Sequence, residues 1–121
     1  RGLVIQPYDG SDKVNERSSR VKRMLVSLTL IENELANRGP VRVYIRVKDP
    51  DGVLLTNSSS RTFTCGGQTM QASASREVDY QGNEVDLSIY LNDIPEFVKG
   101  IYTCEAYTSQ TKLGSAEVML R

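Results

Sequence analysis

Two side chains in this sequence carry nucleophilic or redox chemistry, Cys65 and Cys104, and histidine, the usual base for such a nucleophile, is absent from all 121 residues. A Ser-His-Asp or Cys-His site is therefore impossible. A reactive thiolate would need another cation or a helix dipole to activate it, and the pattern offers neither. A disulfide would need the two Cα atoms within about 7 Å. Cys104 shares the apolar parity of Tyr102 and Ala106, whereas Cys65 ends a strand before Gly66-Gly67. Two separate thiols behaving as small hydrophobes are the expectation. Asp49-x-Asp51-Gly52 supplies alternating acids such as a calcium loop uses, but only two of them, and the EF-hand spacing is missing. Pro50 and Gly52 suit a plain turn instead. Glu77 and Asp79 show no spacing that recommends an acid–base pair. Asn57-Ser58-Ser59 matches the N-glycosylation acceptor pattern, a short motif that arises often by chance.

The charge pattern narrows the partners. Fifteen basic and fifteen acidic residues cancel, so no global field would hold the chain to nucleic acid or to an anionic membrane. Residues 1–48 carry ten basic and five acidic side chains and residues 76–105 carry two and seven, so the halves can pair with each other. The basic run Arg17-Ser-Ser-Arg-Val-Lys-Arg23 lacks interleaved aromatics and is read as a solvated linker. Tryptophan is absent, which weakens any reading that needs a broad stacking platform for a sugar. No apolar run approaches the roughly 20 residues of a membrane-spanning helix, so no direct membrane insertion is expected. No cofactor or metal is expected either.

The elements that must position these residues are strands. Residues 1–20 mix Gly, Pro, Ser and charges without a sustained period and are read as a flexible tail or linker, with a short strand at most at Leu3-Val4-Ile5. From Val21 the pattern alternates strictly, with Met24, Val26, Leu28 and Leu30 on one parity. A polar connection from Glu32 to Gly39, with Asn33 and Asn37 as breakers, leads to Pro40 and to Val41, Val43, Ile45 and Val47. A short strand at Val53-Leu54-Leu55, a strand at Arg61–Cys65 and a strand or strand pair over 70–80 follow. Val85, Leu87, Ile89 and Leu91 then alternate, and Asn92–Lys99 reads as a loop crossing between sheets. Gly100–Tyr107 and a final strand ending at Leu120 close the chain. No segment has a helical period. Residues 21–121 are thus expected to form one all-β domain, an antiparallel β-sandwich of about seven strands.

The last third, with Leu87-x-Ile89-x-Leu91, a loop, Gly100-x-Tyr102-x-Cys104 and a closing hairpin, resembles an immunoglobulin-type domain. That resemblance implies that Tyr102 forms a tyrosine corner, its ring in the core and its hydroxyl bonded to upstream backbone. The strand that should hold a first cysteine carries Val43 and Ile45 and the core tryptophan is missing, so this is no antibody-type domain. Through VYIRVKDPDGVLL and KGIYTCEAYTSQTKLGSAEVMLR, the stretch from Val21 is similar to the immunoglobulin-like domains that close larger bacterial proteins, notably in the Bacteroidetes. The resemblance implies a non-catalytic accessory module, in the cell envelope or the cytoplasm, whose partner is another protein or the rest of its own chain. A cell-envelope carbohydrate-binding or adhesion module is the alternative. The outward parities Arg42, Tyr44, Arg46 and Asp86, Ser88, Tyr90 are expected to lie on adjacent strands, where they are either ordinary cross-strand pairs or a docking face that brings tyrosine and arginine together on one exposed surface.

Overall fold

Alternation of this kind turns every second side chain to one face of a strand, and in the computed structural model, which describes residues 2–32 and 38–121, Met24, Val26, Leu28 and Leu30 are all buried. The described residues form nine strands: β1 (Val4–Asp9), β2 (Val21–Leu30), β3 (Gly39–Lys48), β4 (Arg61–Cys65), β5 (Gln68–Ala72), β6 (Ala74–Tyr80), β7 (Val85–Leu91), β8 (Gly100–Tyr107) and β9 (Lys112–Leu120). All pair antiparallel, in a sheet of order β1-β2-β7, a second of order β6-β3-β8-β9, and a separate hairpin β4-β5. Val43, Ile45 and Val47 of β3, Leu87, Ile89 and Leu91 of β7, and Tyr102, Cys104 and Ala106 of β8 join the β2 residues in one core cluster. Each such aliphatic side chain contributes about 1.5–3 kcal/mol on burial. Asn92–Lys99 does cross from the first sheet to the second.

Several expectations change. The first residues are not all linker: Val4–Asp9 is a strand paired along β2, and Ile5 is buried in the core. Pro7 concealed it, because a proline lacks the N–H that a ladder uses. Here the Pro7 carbonyl faces away from β2 and accepts Asn15 N–H at 3.0 Å, so the absent N–H falls on the open side of an edge strand, where it costs nothing. Arg23 likewise belongs to β2 and not to a solvated linker. Val53–Leu55 forms only an isolated bridge, Lys48 to Leu54. The strand or strand pair over 70–80 resolves into β5 and β6, split at buried Ser73. Its hydroxyl accepts Val47 N–H at 2.9 Å, so it stands in for a backbone partner on β3. Asn33 and Asn37 lie outside the described residues.

Candidate interaction surface

Strand partners decide where the six residues of the expected face end up. β7 pairs with β2, while β3 lies between β6 and β8 in the other sheet. The adjacency of β3 and β7 is therefore wrong, and their outward parities belong to different sheets. Tyr44 is only partly open to solvent. Phe63 of β4 stacks on it with ring centroids 4.2 Å apart and planes 5° from parallel, and Tyr107, the register partner of Tyr44 on β8, lies tilted against Phe63 at 5.8 Å. Arg46 donates from Nε to the Gln71 carbonyl at 3.0 Å and lies 3.7 Å from Glu105, its register partner on β8. Asp86 accepts the Thr29 hydroxyl at 2.6 Å, and Ser88 shares a hydrogen bond with Ser27 at 3.3 Å. These four are cross-strand pairs and hairpin contacts, which typically contribute about 0.2–1 kcal/mol each.

Arg42 and Tyr90 do share a depression. It measures about 250 Å³, lies at the edge of the two sheets and is also lined by Asn57, Arg61, Asn92 and Asp93. Tyr90 is half exposed, and the Arg23 guanidinium sits 5.1 Å from its ring centroid, an arrangement worth about 0.5–1 kcal/mol at exposed sites. Arg23 also pairs with Asp12, and its buried Nε has no hydrogen-bond partner among the described residues. Close by, Arg76 shares the inward parity of Ala74, Val78 and Tyr80. It sits on an edge strand, however, and its guanidinium reaches the Ser88 carbonyl at 2.9 Å. An inward charge there occupies backbone that would otherwise invite another strand. Sequence reasoning missed Arg23 and Arg61. Only the register of β2 against β7 puts Arg23 near Tyr90, and the parity of the basic run was the one available sign.

Tyr102 and Cys104 both turn into the core. The Tyr102 hydroxyl donates to the Val98 carbonyl and accepts Val98 N–H, both at 2.8 Å, and its ring packs 6.0 Å from Phe97. Burial raises its pKa. Gly100 has φ +131°, and a Cβ there would fall 2.6 Å from Pro50 Cγ. Cys104 is buried and Cys65 half-buried, with no bond between them. Burial, then the Glu105 charge, pushes the Cys104 thiol up to about 12, far from nucleophilic use at neutral pH.

The Asp49 turn keeps its carboxylate for its own backbone: Oδ1 accepts N–H from Asp51 and Val53, each at 2.9 Å. No group of three or more potential metal ligands occurs among the described residues. Asn57 donates from Nδ2 to the Asn92 carbonyl at 2.6 Å, so the acceptor nitrogen of the glycosylation pattern is engaged. Among the described residues no helix is long and apolar enough to cross a membrane.

With that geometry established, the chain belongs to the family described as Domain of unknown function (DUF8428), which it matches over residues 3–121, a span that includes β1. No curated protein matches it.

Proposed function

We propose that this member of the family is a non-catalytic, immunoglobulin-like accessory module of a larger bacterial protein, and that it works by rigid display of a surface to a protein partner or to another part of its own full-length chain. The sheet orders β1-β2-β7 and β6-β3-β8-β9, with Tyr102 tied to Val98, support the immunoglobulin-like assignment. The observation that carries the functional reading is that Arg42 and Tyr90, from different sheets, line one depression. Both types are enriched at binding hot spots, and strands hold both so that little side-chain or loop ordering is needed on binding.

The test is capture from the native host's lysate with the wild-type domain, Arg42→Ala and Tyr90→Ser as parallel baits, after circular dichroism has established that all three fold. A specific protein retained by the wild type and lost by both variants supports the reading. Equal retention by all three sinks it. A second reading, a carbohydrate-binding or adhesion module, is favoured by Tyr8 and Tyr90, which flank β2 on the outer face of the first sheet with Arg23 opposite Tyr8. Glycan-array binding that disappears in Tyr90→Ser would select it.

A further inference from the structure

β3 is ten residues long, yet β8 pairs with it only between Tyr44 and Lys48. Beyond Tyr44 the chain leaves β8 through the turn Thr108–Thr111, and one flank of β3 is left open. That flank forms one wall of a depression of about 210 Å³, whose polar lining comes from Arg38, Arg42, Tyr44, Thr108, Ser109 and Gln110. Two arginines face it and, among the described residues, no carboxylate does.

The charge that the described lining presents there is of one sign. Arg38 makes no ion pair or hydrogen bond among the described residues. Its guanidinium rests on Gly82, where a Cβ would lie 2.7 Å from Arg38 Nε. Arg42 spends one N–H on the Ser75 hydroxyl at 3.1 Å. Glu77, its register partner on β6, forms no ion pair with it. The turn is fixed from within: Thr108 N–H donates to the Thr111 carbonyl at 2.8 Å, and Thr108 Oγ1 accepts N–H from Gln110 and Thr111 at 3.2 and 3.1 Å. Ser109, at its tip, has no hydrogen-bond partner for its N–H or hydroxyl among the described residues.

Guanidinium forks match planar or tetrahedral oxyanions, and their charge-assisted bonds are about twice as strong as neutral ones. Two such forks, with amide and hydroxyl donors between them, call for an acceptor with more than one charge and several oxygens. We propose that this depression binds a phosphate or sulfate group, held by Arg38 and Arg42 with Ser109 and Gln110 as supporting donors. The group enters as the free ion or as an ester on a larger molecule. The inference does not depend on the Tyr90 depression. Arg42 lines both, but Arg38, Ser109 and Gln110 line only this one.

The experiment is a nitrogen-15 NMR titration at constant ionic strength with inorganic phosphate, phenyl phosphate and acetate in separate arms. Saturable shifts of the Ser109 amide and of the Arg38 and Arg42 Nε–H signals are expected with both phosphates, and far weaker ones with acetate. Arg38→Gln and Arg42→Gln are each expected to weaken phosphate binding by about tenfold or more, and Tyr90→Ser to leave it unchanged. Tighter binding of phenyl phosphate than of the free ion would assign the site to an esterified group, and the reverse to the ion itself. Arg38 is exposed and has no hydrogen-bond or ion-pair partner among the described residues, so Arg38→Gln reports binding without a folding defect. Shifts that never saturate, or that are the same in Arg38→Gln as in the wild type, overturn the proposal.

Discussion

Asp9 and Asp49 close two different loops with the same four hydrogen bonds. In each, the aspartate N–H donates to the carbonyl four residues on, its own carbonyl accepts the N–H three residues on, and Oδ1 accepts the N–H groups two and four residues on. The third residue after the aspartate has positive φ in both: Asp12 at 64° and Gly52 at 81°. One loop follows β1 and the other follows β3, so the device is local and independent of the sheet that carries it.

Because the Asp49 turn needs a side-chain acceptor and a left-handed residue, Asp49→Ala is expected to cost about 1–2 kcal/mol and Asp49→Asn much less, since an amide oxygen accepts the same N–H groups. Gly52→Ala is expected to cost about 1–2 kcal/mol through backbone strain alone. Urea midpoints at unchanged slope would check all three.

At the crossing loop, Tyr102→Phe removes a donor and an acceptor from Val98 and is expected to destabilise by about 1–2 kcal/mol. Gly100→Ala is expected to cost more, about 2–4 kcal/mol, since it combines a positive φ with overlap on Pro50. Adding Pro50→Ala to Gly100→Ala should restore part of the loss, because it removes the Cγ that the new Cβ meets. No recovery in the double variant would show that backbone strain alone sets the cost.

Phe63 pins the β4-β5 hairpin to the outer face of the second sheet through Tyr44 and Tyr107. Phe63→Ala is expected to cost about 3 kcal/mol. Amide exchange should accelerate in Arg61–Ala72 while β2 and β7 stay protected. Uniform loss of protection would mean that the hairpin is part of one cooperative unit with the core.

Acid stability should fall through two carboxylates. Asp9 is held below its ordinary value of 3.8, first by Lys13 N–H and then by Ser11 N–H. The Lys112 ammonium, bonded at 2.8 Å, holds Glu105 below 4.5. Both folded values are depressed, so their stabilisation is fully present above the ordinary values. It is lost as pH falls through the folded ones, where the unfolded chain already carries the proton. Denaturant midpoints measured from about pH 5 to about pH 2 should decline less steeply in Lys112→Met than in the wild type.

Thiol chemistry should separate the cysteines. Mild alkylation is expected to label half-buried Cys65 and to spare Cys104, whose thiol is buried and pushed up to about 12. Mass spectrometry before and after unfolding checks this. Labelling of Cys104 in the folded protein would mean that β8 opens locally.

Local alternation already shows which side chains of each strand are core. Period-two alternation is a property of consecutive residues, and β2, β3, β7, β8 and the buried Leu120 of β9 follow it. The sequence also determined the Asp49 turn and the Gly100-x-Tyr102 element, because both are built from contacts within a few residues. The tertiary structure alone decided which strands pair. Backbone N–H and C=O groups are the same at every residue and carry no record of their partner, so alternation in β3 and β7 could not tell that they lie in different sheets. The same limit hid β1, where Pro7 is tolerated only because its missing N–H faces the open edge. It also explains why Arg23 meets Tyr90, and why Arg38 and Arg42 share a depression with Ser109: these neighbours are made by strand register and by where β8 ends, which no local spacing expresses.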